Sequence, residues 1–123
     1  MILAIAALLG ASGVVLGAFG AHALRERLGP ALIEVWKTGV FYHLVHAVAV
    51  LGVAAVADRL RWPVLTAALF AAGVALFSGS LYLLALTGAH RLGAVTPFGG
   101  AAFIAGWLTM LVGAASGPRR PHP

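Results

Sequence analysis

Cysteine is absent from the 123 residues, which excludes disulfides, thiolate metal sites and cysteine nucleophiles and leaves the redox compartment unread. Charge is nearly as scarce. Only 9% of residues are charged, where a soluble domain carries about a quarter, and no more than three of them are acidic. None of those carboxylates falls inside a long apolar run, and transport coupled to protons or sodium relies on such intramembrane acids. The net charge of +5 comes without a basic patch interleaved with aromatics, so nucleic acid is not an expected partner. Lysine and arginine flank the apolar runs instead, where they hold topology and meet anionic head groups. Hydrophobic residues make up 62% of the chain, more than so few charges could cover in water.

Four apolar stretches account for that excess: residues 2–24, 36–57, 63–86 and 96–115. Each reaches the roughly 20 residues that a helix needs to cross about 30 Å of hydrocarbon. Backbone in lipid must satisfy its own hydrogen bonds, and runs without period-two alternation are helices, not barrel strands. The expectation is one all-α membrane domain over residues 1–123, four transmembrane helices in a compact bundle, with a basic tail at 116–123. The punctuation agrees: Gly29-Pro30 separates two helices, Asp58-Arg59-Leu60-Arg61 reads as a charged turn, and Thr96-Pro97 opens the fourth helix. Trp36 and Trp62 are expected at the membrane interfaces. Pro30 to Lys37 reads as a short interfacial helix carrying a Glu34–Lys37 pair. The first stretch is too long and lacks the leading basic residues of a signal peptide, despite Ala21-His22-Ala23, so it reads as a retained helix. Flanking cations divide four against four, and the tail Arg119-Arg120 tips both termini toward the cytoplasmic side.

Lipid provides no hydrophobic drive between helices, so small residues must let them approach. Gly10, Gly13, Gly17 and Gly20 form a stripe along the first helix; Ala68, Ala72, Ala75 and Gly79 form one on the third, and Gly99, Ala102, Gly106 and Gly113 one on the fourth. These stripes are expected to face other helices. Gly13-Val14-Val15-Leu16 and Gly73-Val74-Ala75-Leu76 also hint at an internal repeat.

Histidine carries most of the possible chemistry. His43 and His46 share one face of the second helix near mid-membrane, where a polar side chain should face protein and not lipid. No cysteine or carboxylate at that depth completes a metal set, and haem ligation from a second helix would have to use His22. Hydrogen bonding between helices is the expected use. Ser78, Ser80 and Tyr82 form a second polar cluster, without the base and orienting group that a serine nucleophile requires. His22, His43, His46, Ser78, Ser80 and Tyr82 thus compose a candidate intramembrane polar site, with no catalytic, cofactor or metal role expected. Trp107 reads as packing.

Gly17-Ala18-Phe19-Gly20-Ala21-His22, Thr38-Gly39-Val40-Phe41-Tyr42-His43 with His46, Phe77-Ser78-Gly79-Ser80-Leu81-Tyr82 and Thr96-Pro97-Phe98-Gly99-Gly100 with Gly106-Trp107 occur in order. In these motifs the chain resembles the bacterial membrane family known as domain of unknown function 423, itself similar to the eukaryotic transmembrane protein 256 family. The resemblance implies a small multi-pass protein of the cytoplasmic membrane and no assigned reaction. The expected role is a non-enzymatic accessory or interaction protein in the lipid bilayer, with a membrane-protein partner or a second copy. The rivals are a small-molecule or ion conduit, and a haem- or metal-binding protein using His43 and His46.

Overall fold

The computed structural model describes residues 1–118, and the tail arginines Arg119 and Arg120 lie outside the described residues. Among those residues every regular element is helical. Helix α1 spans Ile2–Leu24, α2 Pro30–Ala55 and α3 Pro63–Thr87; α4, Thr96–Ser116, follows a short 3-10 turn at His90–Ala94. All four are long and apolar enough to cross a bilayer. Proline occupies the first turn of α2, α3 and α4, where its missing N–H costs no hydrogen bond and its fixed φ suits the helix. Gly88 closes α3 in the left-handed region, φ 68°, and its amide donates to the Leu84 carbonyl at 2.8 Å, a helix end that glycine adopts without strain.

The second helix departs from its sequence-based limits. It begins at Pro30, so 30–37 is no separate interfacial helix but the first two turns of α2. The reason is Trp36. Its indole is 2% exposed and donates from Nε1 to the Leu16 carbonyl at 2.9 Å, which binds this part of α2 to α1. Trp36 therefore sits between helices, in a space that Gly20 leaves open: a methyl at Gly20 would strike the ring. Trp62 is half-buried under the Arg61 guanidinium, 5.0 Å from the ring centre. Glu34 and Lys37 pair at 2.7 Å, with both side chains largely exposed.

Spatially, α1 packs on α2, α2 on α3, and α3 on α4. Ile2, Ile5, Val56, Leu60 and Met110 meet in one apolar cluster, and Arg61 N–H donates to the Gly113 carbonyl at 3.3 Å. The start of α1, the α2–α3 turn and the end of α4 therefore share one end of the bundle. Rings and glycines interlock between α3 and α4. Phe70 lies against Gly106, where an added Cβ would stand 2.6 Å from Phe70 Cδ1, and Phe103 fills the notch at Gly73. The same logic joins α1 to α2, where a Cβ at Gly13 would stand 2.7 Å from Leu44 Cδ2 and 3.3 Å from His43 Cδ2. Gly13 with His43 and Gly73 with Phe103 occupy matching places in the two hairpins, each ring thirty positions after its glycine.

Small-residue packing holds at only part of the expected stripes. Gly13, Gly20, Gly99, Gly106 and Gly113 are buried against neighbours. Gly17 is half-buried, with Val40 Cγ1 3.2 Å from where its Cβ would stand. Gly10 and Gly79 meet nothing within 4 Å, and Ala68, Ala72 and Ala75 face outward. The face of α3 that turns inward is instead Thr66, Ala67, Phe70, Gly73 and Val74. It wins because Phe70 and Gly73 have complementary partners in α4, whereas a row of alanines offers no ridge to fit a notch.

Candidate functional site

Each polar group buried in the bundle is positioned by a local feature of its helix. His43 and His46 lie three residues apart on α2, about 60° apart around the axis, and each is 4% exposed. Gly39, one turn before His43, lets the Tyr82 ring lie against α2, for a Cβ there would stand 2.8 Å from Tyr82 Cε1. Tyr82 is thereby wedged beside Trp36, ring centres 4.6 Å apart, with its hydroxyl 3.0 Å from His43 Nδ1. The far nitrogen of His43 meets Ser12 Oγ of α1 at 3.3 Å, and Ser12 also reaches the Leu8 carbonyl at 2.8 Å.

Donor counting assigns the direction of this chain. The Ser12 hydroxyl has one proton, and the Leu8 carbonyl can only accept it. Ser12 Oγ then accepts from His43 Nε2–H, and His43 Nδ1 accepts from the Tyr82 hydroxyl. Reversing the order would leave the Tyr82 proton without an acceptor. The run Tyr82–His43–Ser12–Leu8 links α3, α2 and α1 through one neutral imidazole.

His46 is fixed more strictly, in the opposite tautomer. Its Nδ1 lies 2.8 Å from the Tyr42 carbonyl, which only accepts, and Trp107 Nε1–H donates to its Nε2 at 3.3 Å. A carbonyl on one side and an indole N–H on the other admit only the neutral Nδ1–H form. The ring also stacks on Phe103, centres 3.5 Å apart and planes inclined by 10°. Phe70 and Trp107 complete the aromatic packing, 5.0 Å apart and edge to face.

The other expected site residues separate. Ser78 donates to the Gly39 carbonyl at 2.7 Å, whereas Ser80 donates to Phe77 and meets Thr96 Oγ1 of α4 at 2.7 Å. Two residues apart on a helix, they point to opposite sides, and α3 lies between α2 and α4. A π turn at Val74–Ser78 sets that phase. His22 is exposed on the π turn that ends α1 and joins neither buried histidine. Sequence reasoning missed Ser12, whose only signal is one hydroxyl inside the most apolar run, and read Trp107 as packing alone.

The site is chemically closed. No buried side-chain nitrogen or oxygen among the described residues lacks a hydrogen-bond partner. Both nitrogens of both histidines are engaged, so a metal or haem iron would have to displace a bond already made. No group of three histidines or carboxylates that could hold a metal occurs among the described residues.

Comparison with known proteins agrees with the motifs. Residues 16–100 match the family described as "Protein of unknown function (DUF423)". The UPF0382 membrane protein YwdK of Bacillus subtilis is 49% identical over 102 residues, covering 80% of this chain and 83% of the relative. The UPF0382 inner membrane protein YgdD of Escherichia coli K12 is 44% identical over 111 residues, covering 89% and 85%. The UPF0382 membrane protein SH2409 of Staphylococcus haemolyticus is 42% identical over 97 residues, covering 78% and 80%. No solved structure matches. With a family match over most of its length and relatives of this identity across it, the chain belongs to the DUF423 family of membrane proteins.

Proposed function

We propose that the chain is a non-enzymatic interaction protein of the cytoplasmic membrane, a rigid four-helix scaffold whose working surface is its lipid-facing exterior. The observation that carries this reading is that every buried polar side-chain atom among the described residues already has a hydrogen-bond partner. Groups that bind or transform a substrate need unfilled valence toward it; these are used to tie α1, α2, α3 and α4 together. A conduit through one copy is opposed by the aromatic filling of Phe70, Phe103 and Trp107 around His46. The partner is a second copy or another membrane protein, and both termini lie on the cytoplasmic side.

Photo-crosslinking in native membranes tests it. A photoreactive residue replaces Leu8, Leu83 or Leu108 in turn, each more than half exposed and on a different helix. At least one position should give a discrete protein adduct of fixed mass. Adducts with lipid alone at all three positions would overturn the proposal.

A further inference from the structure

The seam between α1 and α2 is hollow on its outer side. A groove of about 580 Å³ runs down it, floored by Gly17, Ala21, Val40 and Leu44, with Arg25 and Lys37 at its outer end. A second hollow of about 590 Å³ continues from Leu44 past Gly10. These volumes are those of sites that hold small organic molecules. The hollows also account for a glycine that helix packing does not: Gly10 has nothing within 4 Å because it faces this space.

Charge selects the occupant. In hydrocarbon an acyl chain gains little by leaving bulk lipid for an apolar groove, because lipid tails are as apolar as the wall. Preference for one lipid must come from the head group, and the mouth is cationic. Arg25 has no ion-pair partner among the described residues, and Lys37 is paired with an exposed carboxylate, Glu34, at 2.7 Å. The depth fits as well. One leaflet is about 15 Å of hydrocarbon, or about ten residues of helix, which runs from Lys37 past Leu44 to Ala47.

We infer that this groove seats one anionic phospholipid, its phosphate at Arg25 and Lys37 and one acyl chain along Gly17, Val40 and Leu44. The inference goes beyond the interaction role proposed above and does not depend on it. Glu34 tunes the seat, since it neutralises part of the cationic mouth.

Native mass spectrometry of the full chain in mild detergent, with equal phosphatidylglycerol and phosphatidylcholine added, tests the seat. Wild type should retain one phosphatidylglycerol in preference to phosphatidylcholine. A juxtamembrane cation is worth about a fivefold preference for anionic lipid, so Arg25→Gln should lose about that factor. Glu34→Gln should raise the preference, a sign that a merely structural role would not produce. Ala21→Leu, at an exposed position on the groove floor, should reduce retention of the bound lipid while leaving the thermal transition in place. Equal retention of the two lipids by wild type would overturn the inference, as would unchanged preference in Arg25→Gln or unchanged retention in Ala21→Leu. Displacement of the lipid by inorganic phosphate would also overturn it, by showing a bare anion site without a chain seat.

Discussion

Two glycines that look alike in the sequence should respond to the same methyl with opposite signs. Gly99 of α4 lies directly on the α3 backbone: a Cβ there would stand 2.6 Å from Phe77 Cα and closer still to its amide nitrogen. Ordinary contact needs about 3.5 Å, so α3 and α4 would have to separate by about 1 Å. Backbone cannot rotate out of the way as a side chain can. The displaced contacts include Phe70 on Gly106, Phe103 on Gly73 and the Ser80–Thr96 bond. Overpacking a well-filled interior costs about 1–3 kcal/mol, and a rigid backbone obstacle places Gly99→Ala at or above the upper end. Gly10→Ala meets nothing and removes a glycine from a helix interior, a change worth up to about 1 kcal/mol in the stabilising direction. Thermal unfolding in one detergent, followed by loss of monodisperse protein after heating, should rank Gly99→Ala well below wild type and Gly10→Ala at or above it. A Gly99→Ala protein that melts with wild type, or a Gly10→Ala protein that falls with Gly99→Ala, would refute the assignment of inward and outward faces.

His46→Leu removes the acceptor for Trp107 and should cost about 1–2 kcal/mol, membrane side-chain bonds being worth about 0.6–1.7 kcal/mol each; His46→Gln, which can accept again, should retain more stability in the same thermal assay. Trp36→Ala empties the space between α1 and α2 and should cost about 3–5 kcal/mol, whereas Trp36→Phe should lose little beyond the bond to Leu16; equal melting of the two would place the indole outside the core. Reporter fusions before Met1 and after Pro123 should fall on the same side of the membrane, and opposite sides would mean an odd number of spans.

How far the sequence discloses this structure depends on what lipid penalises. Span number is legible because an unpaired backbone group in hydrocarbon costs several kcal/mol, and four long apolar runs, two of them opening at Pro63 and Pro97, are the direct consequence. The extension of α2 back to Pro30 was hidden by Glu34 and Lys37, which look interfacial although Trp36 between them is buried. Facing was much less legible. In a soluble bundle the polar side of each helix points outward, but these helices are apolar all round, so Ala68 and Ala67 cannot be told apart by chemistry. A glycine in a run records close approach at Gly99 and empty space at Gly10 with the same letter. Only complementary volumes decide, and the Phe70–Gly106 and Phe103–Gly73 pairs become visible once two helices are aligned.

Polar residues were the exception. His43 and His46 could be assigned to the interior because lipid would leave their nitrogens unpaired. Their partners could not, because hydrogen-bond direction belongs to pairs of helices. That direction has a consequence for how the bundle is specified. Apolar rings and notches repeat along α3 and α4 and tolerate a shift of one turn better than a donor facing a donor does. Trp107 can only donate and the Tyr42 carbonyl can only accept, so His46 fixes the height of α4 against α2. Ser12 and Tyr82 do the same for α1 and α3 through His43. The two imidazoles, held in opposite tautomers one turn apart, set helix register where hydrophobic contact discriminates poorly. Their net contribution to stability is modest; what they exclude is the neighbouring register, in which a buried N–H would face hydrocarbon.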